Sequence, residues 1–170
     1  MSRFKSLLGI VSLFMAFGAL SLTEDRSQPI TIEADSAERN ENTGLTEYRG
    51  NVIIRQGSVI INADRVSIYY SDNKVSRIVS LGKPASYQQQ QLSDDGLMTA
   101  RGEIIEYMLA TDKINLQKNA SLSRNGTLIK GDSITYDLEN ETWKAKGNNR
   151  GEQKRIQLVI PPSTQEETQP

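Results

Sequence analysis

The feature that most restricts this chain is a two-residue period of apolar side chains, repeated in short runs from Ile30 to Ile160. Such alternation sends one set of side chains to one face of an extended strand and the other set to the opposite face. It therefore selects half-buried strands over amphipathic helices. Ile30, Ile32 and Ala34 alternate with Thr31 and Glu33. The same rule joins Val52 to Ile54, Val59 to Ile61 and Ala63, and Val66 to Ile68 and Tyr70. Val75, Ile78 and Val79 follow before Gly82, and then Ile105, Tyr107 and Leu109. The later runs are Ile114 with Leu116, Ala120 with Leu122, then Leu128, Ile134 with Tyr136 and Leu138, Trp143 with Ala145, and Ile156 with Leu158 and Ile160. Gln56-Gly57, Asn125-Gly126, Asn42-Thr43-Gly44, Asp72-Asn73 and Asp94-Asp95-Gly96 separate runs and tolerate positive φ. The spacing predicts an all-β chain of roughly 14 to 16 short antiparallel strands in a sandwich, roll or solenoid-like stack.

The runs themselves repeat. The stretch Gly57 to Tyr69 resembles the stretch Gly126 to Tyr136, with two residues fewer in the second copy. A small residue followed by an acid recurs at Ala34-Asp35, Ala63-Asp64, Gly102-Glu103 and Gly131-Asp132. Asp35 to Glu103 and Asp64 to Asp132 are both 68 residues. Two copies of one unit, each with two strand–turn–strand modules, predict similar backbones stacked in register.

Ahead of the repeats, Arg3 and Lys5 precede an apolar run from Leu7 to Leu20 that ends in Ala19-Leu20-Ser21. This is the pattern of a cleaved secretory signal over residues 1–21, and the run is shorter than the ~20 apolar residues a spanning helix needs. Cleavage removes Arg3 and Lys5 from the 20 bases, leaving 18 against 21 acids and a net charge of −3. No basic surface suited to nucleic acid is implied. There is no Cys, so stability must come from a core rather than from disulfides, and there is no His. Residues 22–160 are expected to form one β domain. Gln88 to Gln91 with Ser93 to Gly96 reads as a polar loop between the copies, and 161–170 as a disordered tail.

The four recurring acids sit at turn-like positions, where carboxylates can accept backbone N–H bonds and hold a strand corner. One acid per module is too sparse for calcium. Glycoside cleavage would need two carboxylates across a cleft; Glu33 with Glu103 or Glu106 can be imagined so, but nothing selects a pair. No catalytic residue, metal or cofactor is expected. The inward set fits a closed core and an open apolar groove alike. Ile156-Gln157-Leu158-Val159-Ile160 and Ile30-Thr31-Ile32 are uncharged β-forming runs without an inward Lys or an internal Pro. Either they lie inside a sheet or they are edges that pair with another chain. A binding or scaffold protein is thus favoured over an enzyme. One alternative is an exported β-solenoid that binds carbohydrate or builds a surface scaffold. It calls for exposed aromatic platforms, and only Trp143 and a few Tyr are available.

Five stretches together carry a family resemblance: Gln28 to Asp35, Gly50 to Ile54, Gln56 to Val66, Gly82-Lys83-Pro84-Ala85, and Ile129 to Tyr136. In order and spacing they resemble the OstA-like family of periplasmic lipopolysaccharide-transport bridge proteins, over about Gln28 to Pro161. The resemblance implies an open, slightly twisted β-jelly roll of about sixteen short antiparallel strands. It implies head-to-tail stacking into a periplasmic bridge between the inner-membrane bitopic subunit LptC and the outer-membrane translocon LptD. Lipopolysaccharide acyl chains would ride in the apolar interior, against Ile30, Ile32, Tyr87, Tyr107 and Leu109. The edges that stack would hold Ile30, Thr31 and Ile32 at one end and Ile156, Leu158 and Ile160 at the other. The sequence has no P-loop of the Gly-x-x-x-x-Gly-Lys-Ser/Thr type, so any directional drive belongs to a partner.

Overall fold

The computed structural model describes residues 25, 27–90, 96–148 and 155–162. The expected signal, residues 91–95 of the expected polar loop and residues 163–170 of the expected tail lie outside the described residues. Ten strands follow in order: β1 Thr31–Glu33, β2 Ser36–Asn40, β3 Leu45–Gln56, β4 Val59–Ser71, β5 Lys74–Gln90, β6 Leu97–Met108, β7 Lys113–Arg124, β8 Thr127–Asp137, β9 Thr142–Lys146 and β10 Gln157–Val159. They form one antiparallel sheet in the order β1-β3-β4-β5-β6-β7-β8-β10, with β2 also on β3 and β9 also on β8.

Every pair of neighbouring long strands slips register near its middle, and β4 and β5 slip again between Tyr69 and Tyr70. The pairing register slips between Arg49 and Val52, Asn62 and Arg65, Leu81 and Ala85, Arg101 and Ile104, and Gln117 and Ala120. These slips form a crease across the sheet, and the crease divides it into two leaves. β1 and β10 flank the first leaf and β2 and β9 the second, because β3 and β8 each pair a different short strand on either side of their bend.

The expected all-β roll is present, but with ten strands among the described residues rather than about sixteen. The reason is the crease. Gly50, Asn51, Lys118 and Asn119 have positive φ there, which bends and twists a strand without reversing it. Six long strands divided at their bends, with four short ones, make the sixteen segments that the sequence pattern suggests. The crease is held by side chains. Asn51, Asn119 and Asn148 amides donate to Asp35 (3.1 Å), Glu103 (3.0 Å) and Asp132 (3.3 Å). Three of the four recurring acids thus do hold corners, by accepting from an Asn side chain rather than from backbone N–H groups. A Cβ at Gly50 would collide with the Asp35 carboxylate, so glycine is required there.

The turns Gly57, Asp72-Asn73 and Asn125-Gly126 have the positive φ that the sequence suggested. The polar loop is shorter than expected, since Gln88, Gln89 and Gln90 continue β5. Gln89 faces inward and is buried, because its amide finds partners in Tyr87 and Asp25. The apolar side chains of both leaves form one buried cluster, with Ile30, Ile32, Leu109 and Ala145 among those packed at its margin.

Candidate functional site

Cross-strand pairing carries the inward side chains through the sheet in rows. In the first leaf the row is Ile32, Ile54, Ile61, Tyr87, Ala100, Leu122, Ile129 and Leu158. In the second leaf one row is Ala37, Tyr48, Val66, Ser80, Ile105, Leu116, Ile134 and Ala145. The next is Arg39, Thr46, Ile68, Ile78, Tyr107, Ile114, Tyr136 and Trp143. Each row begins on β1 or β2 and ends on β10 or β9. The first-leaf row has no charged member from end to end.

The leaves meet face to face. Tyr87 of the first leaf and Tyr107 of the second pack edge to face, with ring centroids 6.0 Å apart and planes at 71°. This arrangement suits the positive edge and negative face of aromatic rings. Tyr87 is 1% exposed and Tyr107 6%, so the interior is closed at its middle. It opens at the C-terminal side, where a cavity of about 290 Å³ lies between the leaf tips. Leu122, Thr127 and Ile129 line it from the first leaf, and Tyr136 and Trp143 from the second. Arg124 stands at this mouth and donates to the Tyr136 hydroxyl (2.5 Å) and to Glu141 (2.7 Å). Burial works against the Arg124 charge, but Glu141 and Tyr136 outweigh it and hold the guanidinium above its ordinary value. Burial pushes the Tyr136 hydroxyl up, so this group is neutral in the physiological range.

The N-terminal segment crosses the tip of the first leaf. Asp25 accepts from the Ser58 N–H (2.7 Å), the Ser58 hydroxyl (2.7 Å) and the Gln89 amide (3.0 Å). Gln89 in turn accepts from the Tyr87 hydroxyl at 3.0 Å, so Asp25 is linked through one residue to the central aromatic pair. Partial burial works to raise the Asp25 carboxyl, but these donors outweigh it and hold it below its ordinary value.

The structure brings several of the sequence-predicted residues together. Ile32 and Tyr87 share the first-leaf row, and Tyr107 meets Tyr87 across the interior. Ile30 and Leu109 lie at the margin of the cluster, partly buried. Thr31 and Ile32 belong to β1, which ends the sheet on one side. Leu158 belongs to β10, which ends it on the other, with Ile156 and Ile160 just outside that strand and exposed. The two uncharged runs are therefore edges, not interior strands. Sequence reasoning missed Asp25, Gln89 and Arg124. The two-residue period does place Gln89 on the face of Tyr87, but a run of glutamines reads first as a loop. The arrangement can shelter hydrocarbon, and among the described residues no group of His, Cys, Asp or Glu is placed to hold a metal ion.

Comparison with known proteins agrees with this geometry. Residues 31–142 match the family described as LptA/(LptD N-terminal domain) LPS transport protein. The chain is 32% identical to the lipopolysaccharide export system protein LptH of Pseudomonas aeruginosa over 92% of each chain. It is 34% identical to LptA of Escherichia coli K12, over 85% of this chain and 77% of that one. The crystal structure of LptH from Pseudomonas aeruginosa superposes with a TM-score of 0.74 at 31% identity, over 82% of this chain and 99% of that one. A bent, open sheet with continuous inward rows, matched over most of its length in sequence and in structure, makes this chain a member of the LptA/LptD N-terminal-domain family of lipopolysaccharide transport proteins.

Proposed function

We propose that this protein carries lipopolysaccharide across the periplasm, with the acyl chains between its two leaves and the sugars outside. In this reading it works as a binding subunit without catalysis. Copies stack head to tail, β9 and β10 of one against β2 and β1 of the next, into a bridge between LptC and LptD. The single observation that supports this is the continuity of the apolar first-leaf row from one sheet edge to the other. Stacking would extend that row from copy to copy.

The energetics favour such a path. Burying a CH₂ is worth about 0.8 kcal/mol, so a chain of ~12 carbons costs roughly 10 kcal/mol to expose to water. A continuous apolar slot removes that barrier. Inward Ile, Leu and Val give non-directional contacts, which let cargo slide where deep hydrogen bonds would trap it. Because Tyr87 and Tyr107 are in contact, lipid entry has to part the leaves. Lipid tails then replace leaf-to-leaf contacts with contacts of the same kind, which keeps the exchange close to balanced.

A photo-crosslinking residue tests the assignment. Placed at Tyr107 or Leu109, it should capture lipopolysaccharide; placed at Thr135, which faces solvent on β8, it should not. Equal capture from inward and outward positions would rule out the interior as the path.

A further inference from the structure

We infer that the direction of stacking between copies is selected by one charge on each edge, Glu38 on β2 and Lys144 on β9. The inference rests on the head-to-tail reading above and adds its register and its polarity. Glu38 is the central residue of β2, Ser36–Asn40, and Lys144 the central residue of β9, Thr142–Lys146. Both are exposed. Inside one molecule the two belong to the same outward row, which runs Glu38, Glu47, Ser67, Val79, Glu106, Asn115, Thr135, Lys144. If a second copy adds its β2 to β9 and every row continues, Lys144 stands opposite Glu38 of that copy. The same register puts Trp143 opposite Arg39 and Ala145 opposite Ala37. A guanidinium over the face of a half-exposed Trp is a favourable cation–π arrangement. In the other leaf, continuation puts Leu158 opposite Ile32 and merges the apolar rows.

The wrong pairings are disfavoured by the same two residues. Antiparallel pairing of β2 with another β2 about their centres sets Glu38 against Glu38. Pairing of β9 with β9 sets Lys144 against Lys144. Like charges directly opposite across a sheet are destabilising, and opposite charges stabilising, so only the head-to-tail pairing is free of repulsion at its centre. Within the monomer Glu38 already faces a like charge, Glu47, while Glu47 itself is paired with Arg49. The incoming Lys144 relieves that conflict. Unpaired edges invite indiscriminate association, and charge is the usual device that limits it.

The full exported chain can be tested by sedimentation velocity in low salt, with circular dichroism to check that each variant keeps its strands. Glu38→Lys and Lys144→Glu alone should each weaken self-association about tenfold, since an attractive pair becomes a repulsive one. The double variant should associate like wild type. An equimolar mixture of the two single variants should also recover, because each then offers the other an opposite charge at both edges. In high salt the differences should shrink. Single variants that associate as well as wild type, or folded single variants that stay apart when mixed, overturn the assignment. Wild-type protein that stays monomeric at every concentration overturns the stacking reading itself.

Discussion

The middle of the sheet and its edges are made of the same rows, yet they meet water in opposite ways. Ile61 on β4 is 1% exposed, while Leu158, in the same row on β10, is 45% exposed. In the second leaf Ile114 is 1% exposed and Trp143, at the end of its row, 39%. At these apolar positions the chemistry scarcely changes; the number of neighbouring strands does. β4 to β7 have a long strand on each side, whereas β1, β2, β9 and β10 are short and have one partner each. Cohesion of the monomer is therefore concentrated in the middle, and the edges that the proposed stacking would use lie at the ends.

That contrast can be broken at a single residue. Leu116→Ala removes a fully buried side chain from the middle of a row and should cost about 2–5 kcal/mol in urea unfolding. Leu158→Ala, of similar chemistry but at the edge, should cost less than ~1 kcal/mol. Equal losses would mean that the edge contributes to the fold as much as the centre does. A deletion sharpens the point. Removing residues 156–160 takes away an edge strand held by only three residue pairs, so the monomer should keep its β signal in circular dichroism while head-to-tail oligomers disappear from sedimentation profiles. Undiminished oligomers would show that β10 is not a docking edge.

The smallest expected effect concerns Asp25, which ties the N-terminal segment to the tip of the first leaf. Its carboxyl is held below the ordinary 3.8 by Ser58 and Gln89 against the cost of burial. A carboxyl depressed in the folded state contributes stability above its unfolded value, and that contribution is lost as pH falls through the folded one. Asp25→Asn should thus lower the melting temperature slightly at neutral pH, by about 1 kcal/mol of stability or less, and change nothing in strong acid. A difference that persisted in acid would mean that the substitution acts through packing rather than through charge.

Much of this architecture was legible in the residues. The two-residue period identified most of the inward set, though it also took in Val79 and Leu128, which face outward, and passed over Ala100 and Ile129; Asp72-Asn73 and Asn125-Gly126 marked real reversals. The count of strands was not legible, because Gly50-Asn51 and Lys118-Asn119 bend a strand with the same positive φ that reverses one elsewhere. A bulge and a turn draw on the same residue types, and only the partner strand distinguishes them. For the site, the periodicity placed Tyr107 inward and only the family resemblance pointed to Tyr87; neither could show that they touch. That contact joins opposite leaves, and it depends on the crease. Gln89 and Arg124 were hidden for a related reason. A polar side chain that faces inward is recognisable only when its partners, here Tyr87 with Asp25 and Tyr136 with Glu141, are seen around it.

The central claim is that hydrocarbon enters between the leaves, and isoleucine methyl groups report on it most directly. Ile54 and Ile61 face inward on β3 and β4, while their neighbours Ile53 and Ile60 face outward on the same strands. In methyl-labelled protein titrated with lipopolysaccharide, the account predicts shifts and acyl-chain cross-peaks at Ile54, Ile61, Ile105 and Ile114, with Ile53 and Ile60 little changed. Cross-peaks confined to Ile53 and Ile60, or inward methyl groups untouched by saturating lipid, would contradict it.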